Sequence, residues 1–416
     1  MSRSRRRTGL APPVLLIALV TGIALALPAQ AAGSWSPPVQ LPAGCASSVA
    51  TGSVAVNAAG AQVAAAGVNG ISAVSVCTSP DGQTWSAPFT VGQGVNPAVA
   101  LAPDGRTVVA WEGGTFAATD IEASVRPPGG TWSTPVVVST VGYPGAPLIG
   151  IDGSGNAVIA YVQGATGTIA TASLRAGGRW TPVQTLATRY GSGLDMAVNS
   201  AGSVILTWAA KGTGVGVYAA SGTVLGGLAA PVKVGLPPYP GGRTSVAVNN
   251  AGQAAMVWAM GAGAVNVAAT RTAAGTWSAP VQLSANEAGP LDVAIDGAGN
   301  ATAVFERYVL VGGTYITPLF ASKLPAGGSW GAPTLLSAPG DSAAGGGRVV
   351  ADSTGTVVVA WADATTRTLT ALTSPPGGGF GPAFFAPNVG QIGRLVIAPG
   401  HAVLTFNSVI TSEAVS

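Results

Sequence analysis

Residues Gly275 to Ser284 read GTWSAPVQLS; nearly the same phrase stands at Gly33 to Pro42 as GSWSPPVQLP and at Gly82 to Val91 as GQTWSAPFTV. Aligning the chain on it gives eight starts, at Trp35, Trp85, Trp132, Trp180, Pro231, Trp277, Trp330 and Phe380, spaced 46 to 53 residues apart. Such a period marks supersecondary units stacked in an array or a ring. Three further segments follow each start, typified by SVAVNNAG (from Ser245), QAAMVW (from Gln253) and VNVAATR (from Val265). Alternating Val, Ile and Thr between Gly, Asn, Asp and Pro is the period-two pattern of strands joined by tight turns. Four strands per unit describe a propeller blade. The expected fold is all-β, an eight-bladed β-propeller of four-stranded antiparallel blades forming one domain over residues 32–416.

The two ends complement each other. A lone outer strand opens at Trp35, and the chain finishes with three strands, RLVIAPG, HAVLTF and VITSEAVS, that lack a fourth. The first motif is therefore expected to close the last blade, residues 34–41 pairing with 409–416, which leaves no open sheet edge to invite aggregation. Cys45 follows the N-terminal strand and Cys77 lies on the fourth segment of the first unit. As two cysteines in an exported chain they are expected to form a disulfide tying the seam to the first blade.

Export is read from residues 1–31. Arg3, Arg5, Arg6 and Arg7 precede an apolar run from Val14 to Leu27, and PAQA supplies a small-residue cleavage site ending at Ala31, the layout of a signal peptide. SRRRTGL lacks the bulky apolar residue that follows the pair in twin-arginine signals, so general secretion is expected. LPAGC, ending at Cys45, lies beyond the apolar run and has Pro42 where a lipoprotein box carries leucine. Without the peptide the chain holds 14 Lys and Arg against 15 Asp and Glu, about −1. With three lysines and no basic run, it lacks the clustered cations that neutralise nucleic-acid phosphates. No later apolar stretch is long enough to span a bilayer. The expectation is a secreted, extracellular monomer.

Repetition supplies an internal control: a residue type recurring at one place in most units serves the unit. All ten tryptophans occupy two repeat positions, the outer-strand start and the end of the third segment (Trp111, Trp208, Trp258, Trp361, with Tyr161, Phe305 and Phe406 as equivalents). They read as packing. Asn57, Asp152, Asn199, Asn249, Asp296 and Asp352 end the second segment ahead of a glycine. IDGSGN and IDGAGN mimic a calcium loop but have too few oxygen ligands and no closing glutamate, so Asx-turn chemistry explains them. His401, alone in such a turn, offers neither a metal site nor a catalytic pair. No metal and no cofactor is expected.

SPDGQTW, Ser79 to Trp85, resembles the Asp-box of sialidase-type, or BNR-repeat, propellers, in which Ser, Asp, Gly and Trp recur in the turn before the outer strand. It is one residue short of the usual spacing. Elsewhere the turn reads PPGGTW, AGGRW or PAGGSW, without Asp. The resemblance to secreted bacterial BNR-like propellers is therefore one of architecture, and it implies a folding role for Asp81.

Turns between segments two and three, and between four and one, are short and uniform. The other connections vary and emerge together on the opposite face, where binding is expected. At the entry to the innermost strand the units carry Ser53, Ala98, Leu148, Asp195, Ser245, Asp292, Arg348 and Arg394, so charge gathers on one arc. Tyr143, Tyr190 and Tyr239 occupy one connection in three successive units and could form an aromatic strip or fold inward as packing. Sialidases use an arginine triad, a tyrosine nucleophile with a glutamate, and an aspartic acid/base. Arg243, Arg348, Arg394, Glu306, Asp195 and Asp292 supply the residue types but do not match that pattern residue by residue. The expected function is a non-catalytic module binding a glycan or other surface polymer through Tyr143, Tyr190, Tyr239, Asp195, Asp292, Arg348 and Arg394. A protein-interaction or structural scaffold, and a sialidase-like glycoside hydrolase or lyase, are the alternatives.

Overall fold

The computed structural model describes residues 35–45, 53–67, 72–114, 120–140, 145–164, 167–187, 190–212, 214–236, 242–260, 265–285, 287–338, 340–343, 346–389, 392–406 and 409–415. The expected signal peptide and Tyr143 and Tyr239 lie outside them. Among the described residues the fold is all-β without a helix, and no helix is long and apolar enough to cross a membrane.

The recurring unit is a four-stranded antiparallel meander. In the sheet that opens with Thr244–Val248, Ala254–Met260 and Val265–Arg271 follow in order and Val281–Ala285, from the quoted motif, forms the outer edge. Leu148–Ile151, Ala157–Gln163, Thr168–Leu174 and Gln184–Ala187 repeat the order, as do Arg348–Ala351, Val357–Ala362, Leu369–Ser374 and Phe384–Ala386. The degenerate motif at Pro231 also supplies an edge, Val232–Gly235. One strand, Phe89–Leu101, serves two sheets: its first half pairs with Ser72–Ser79 and its second with Thr107–Gly113. At the crossover its Gly92 and Gly94 run so close to Trp111 that a Cβ would stand 2.4 Å from the indole at either position, while Trp111 Nε1 donates to the Gln93 carbonyl.

The middle strands are apolar on both faces because the sheets stack on one another. Val158 and Ile169 of one sheet share a core with Val204, Leu206 and Trp208 of the next. Alanines among the Val, Leu and Trp of these cores let the sheets approach closely. The third-segment aromatics Trp111, Trp208, Trp258, Trp361, Tyr161, Phe305 and Phe406 are all buried. The outer-strand tryptophans are half-buried and lie against the same cores. The Asx residues make the expected turns: Asp152 Oδ1 accepts from the backbone of Ser154 and Asn156, and Asn57 Oδ1 from Ala59 and Ala61. They also join sheets, since Asn199 Nδ2 donates to the Asn249 carbonyl and Asn249 Nδ2 to that of Asp296. Asp81 accepts from Gln83 N, Thr84 N and Ser79 Oγ, and the two backbone donors lead in holding its carboxyl down at about 2.

The two ends of the chain meet in one sheet. Val39–Gln40 pairs with Val409–Ala414, which is followed inward by His401–Phe406 and Ile392–Ala398. The pairing is shorter than expected, with Val39 opposite Ile410, Gln40 opposite Val409 and an isolated bridge from Trp35 to Glu413, because successive prolines at 37 and 38 break the ladder between. Leu41, Val54, Ala64, Val403 and Ile410 form one core between this sheet and the first. Cys45 and Cys77 are joined as a disulfide.

Glu413, buried in this sheet, accepts a hydrogen bond from Thr373 Oγ1 of the neighbouring one. Burial outweighs that bond and pushes its carboxyl from 4.5 up to about 7. An acid whose folded pKa is raised contributes its stability below the unfolded value and loses it as pH rises through the folded one, here between 4.5 and about 7. Glu413→Gln is therefore expected to stabilise the protein by roughly 2–3 kcal/mol near pH 8 and to flatten the pH dependence of Tm. An unchanged melting curve at that pH would contradict this.

Candidate functional site

The innermost strand of each sheet has one sheet neighbour, so half of its backbone N–H groups point away from that neighbour. The side chains expected at the entry to the innermost strand stand in one register column. Ala98, Leu148, Asp195, Ser245, Asp292 and Arg348 lie opposite Ala110, Ala160, Thr207, Val257, Val304 and Ala360, each directly before the third-segment aromatic. Ser53 opposite Ala65 and Arg394, whose N–H donates to Thr405 Oγ1, complete it.

A cavity of about 830 Å³ opens where the charged members gather; Asp195, Ser245, Asp292, Arg348 and Arg394 line it, with Arg243 and Tyr190. Asp195 and Asp292 are half-buried, whereas Arg243 and Arg394 are exposed to the cavity. Both carboxylates are already engaged. Asp195 Oδ2 accepts from Val246 N of the next sheet at 2.9 Å. Asp292 Oδ1 accepts from Ser245 Oγ at 2.6 Å and Oδ2 from Val349 N at 3.1 Å, so it joins sheets on both sides. Ser53 Oγ does the same for Val99 N. In this column an oxygen acceptor caps the spare N–H of the neighbouring innermost strand, a role that sequence reading missed. Its signal was present in the column itself, where Ser and Asp alternate as short acceptors.

Removal from bulk water pushes the Asp195 carboxyl up to about 6, and neighbouring Asp292 adds to the rise against Val246 N–H and Arg394. Burial raises Asp292 as well, opposed by Ser245 and Arg348. The Arg394 guanidinium is lowered by desolvation and by Arg348, with the carboxylates acting the other way. Three cations thus face two carboxylates, both hydrogen-bonded to the scaffold.

Of the predicted tyrosines, Tyr190 borders the cavity and is also half-buried beside the core containing Trp208. Glu306 is buried on Ala301–Arg307 and does not line the cavity, so the carboxylate needed to activate a tyrosine is not assembled with the arginines. Among the described residues no group of His, Cys, Asp and Glu is arranged to hold a metal ion. The connection after Ala301–Arg307 holds an unforeseen hairpin, Val309–Val311 with Thr314–Ile316, carrying exposed Tyr308, Leu310, Val311 and Tyr315. Its Gly312 and Gly313, both at positive φ, are the two-residue turn such a hairpin requires.

No protein-family model matches the chain, and no curated protein does. Among solved structures it is similar to the BP39L lectin from Burkholderia pseudomallei, at 15% identity and a TM-score of 0.56, over 81% of this chain and 98% of the lectin. An ulvan lyase, described as a polysaccharide lyase, matches at 10% identity and TM-score 0.48 over 91% of this chain and 96% of its own. The lectin of Aleuria aurantia matches at 11% and 0.42, over 70% and 95%. The fold is that of a β-propeller-like protein built from four-stranded antiparallel sheets.

Proposed function

We propose that this chain is a secreted, non-catalytic binding module that recognises a glycan or other surface polymer at the mouth of a central channel. The observation that carries the reading is the engagement of Asp195 and Asp292: each accepts a backbone N–H of the next sheet through one oxygen, while Arg243 and Arg394 remain open to the cavity. A glycosidase aims a pair of carboxyl groups at the scissile bond, one on either side of it. Here the anions brace the scaffold and the cations face the ligand. Fold alone does not choose a ligand; the lectin of similar fold is the precedent for a sugar.

The scaffold is proposed to be a closed ring of eight blades, counting Phe89–Leu101 twice. In support, each innermost strand packs on the next, from Ser53–Val56 through the second half of Phe89–Leu101 onward, and Ile392–Ala398 packs back on Ser53–Val56. His401 in the last sheet also sits against Gly60 in the first, where an added Cβ would stand 2.9 Å from the imidazole. Residues 1–31 are proposed as the signal peptide, for which the disulfide gives an oxidising destination. Tyr143, Tyr190 and Tyr239 are proposed as a stacking strip beside the channel.

The test is retention of the secreted chain on acidic and neutral polysaccharide columns. Replacing Arg348 and Arg394 together by alanine is expected to weaken retention on the acidic polymer about tenfold or more, and Tyr190→Ala to weaken it with a modest fall in melting temperature, since the ring is half-buried beside the Trp208 core. Binding of the acidic polymer should strengthen as pH falls through about 6, where Asp195 gains its proton, and this dependence should vanish in Asp195→Asn. Glycoside turnover lost in Asp195→Asn or Asp292→Asn would overturn the non-catalytic reading.

A further inference from the structure

Arg126 and Arg271 occupy the same repeat position, the last residue of the third strand of a sheet, opposite Thr107 and Ala254. Arg126 Nε donates to the Gly130 carbonyl of its own turn. Arg271 has other partners: Nη1 donates to the Gly252 carbonyl at 2.8 Å and Nη2 reaches Ser221 Oγ of the preceding sheet at 3.3 Å. Its Nε is buried with no hydrogen-bond partner. Beside it a cavity of about 300 Å³ separates the two sheets, bordered by Ser203, Ser221, Thr223, Asn250 and Gly252, and none of its lining residues is acidic. Strand alternation puts this cavity at the opposite ends of the strands from Asp195 and Ser245.

A guanidinium drawn in from solvent is ordinarily paired with an anion, because desolvating a charge without a counter-charge is costly. Burial lowers Arg271 and no neighbouring carboxylate offsets it. The repeat provides the comparison, since Arg126 shows that the position can be satisfied within its own turn. The volume is at the lower end for small-molecule sites, room for a single compact group. Its rim of hydroxyls and an amide offers hydrogen bonds suited to oxyanion and sugar oxygens.

We propose that the cavity between Ser221 and Arg271 is a second binding site, taking an oxyanion such as the carboxylate or sulfate of an acidic sugar unit, with Arg271 as the anion-binding residue. The site is independent of the channel. The experiment is a melting titration of the secreted chain with sodium sulfate, glucuronate and glucose at constant ionic strength. Glucuronate and sulfate are expected to raise Tm saturably, glucose not, and a response to one anion alone identifies which source the site accepts. Arg271→Gln should weaken the anion response about tenfold, whereas Arg126→Gln should change it less than about twofold. An equal response in Arg271→Gln, an equal effect of glucose, or no response up to about 50 mM would overturn the proposal. Should Arg271→Gln fail to fold, crystals of the unmodified chain soaked in sulfate decide: density beside Arg271 supports the site, and its absence refutes it.

Discussion

A chain lacking residues 33–42 is expected to lose roughly 5–8 kcal/mol of folding stability, about the whole margin of many domains. The deletion removes Leu41 from the core shared with Val54 and Ile410, Val39 from its place opposite Ile410, and Trp35 from its stack on Phe384, at 5.5 Å between ring centroids. Side chains of this size contribute ~1.5–3 kcal/mol each when fully buried, and less where half-buried as Val39 and Trp35 are. Lost too are the hydrogen bonds from Ser36 N to the Ser412 carbonyl and from Thr411 Oγ1 to the Ser36 carbonyl. Removal would also bare the edge of Val409–Ala414, so aggregation should accompany the fall in Tm. Thermal unfolding of the truncated chain checks this; an unshifted transition would show that the N-terminal strand is dispensable.

The second large effect is expected from the disulfide. Cys45 and Cys77 are both buried and 32 residues apart, and chain-entropy arguments assign a loop of that length roughly 3–4 kcal/mol. Replacing both by serine should lower stability by about that amount in urea unfolding. The bond lies just after the seam strand and fixes it to Ser72–Ser79, so this loss and that of the strand should be coupled rather than additive. A double-serine chain as stable as the parent would show that the reduced, unfolded state is already compact.

The repeat period, the strand order and the register column on the innermost strands were legible because each depends on local alternation and turn chemistry that recurs unit after unit. The tasks of Asp195 and Asp292 were not, since a strand pattern tells which face a side chain takes and not which spare N–H of the next sheet it meets. The hairpin at Val309–Val311 and Thr314–Ile316 carried its own signal, alternating apolar residues about a Gly-Gly pair, but counting from motif to motif absorbed it into the longest spacing. Arg271 is not distinguishable from Arg126 by repeat position; the difference lies in the partners each guanidinium takes.

The strand Phe89–Leu101 runs from the outer edge of one sheet to the innermost place in the next, bending at the crossover, where Asn96 takes a φ of 51° and the register shifts between Val95 and Ala98. The two sheets it joins also share a core of Val63, Val74, Val99, Val109 and Trp111, so they are coupled through backbone and side chains at once. Hydrogen exchange should report this coupling, the amides of Gln62–Gly67 and Thr107–Gly113 opening together. A substitution that loosens one of these two sheets should therefore loosen the other, and a defect at the crossover would spread in both directions along the chain.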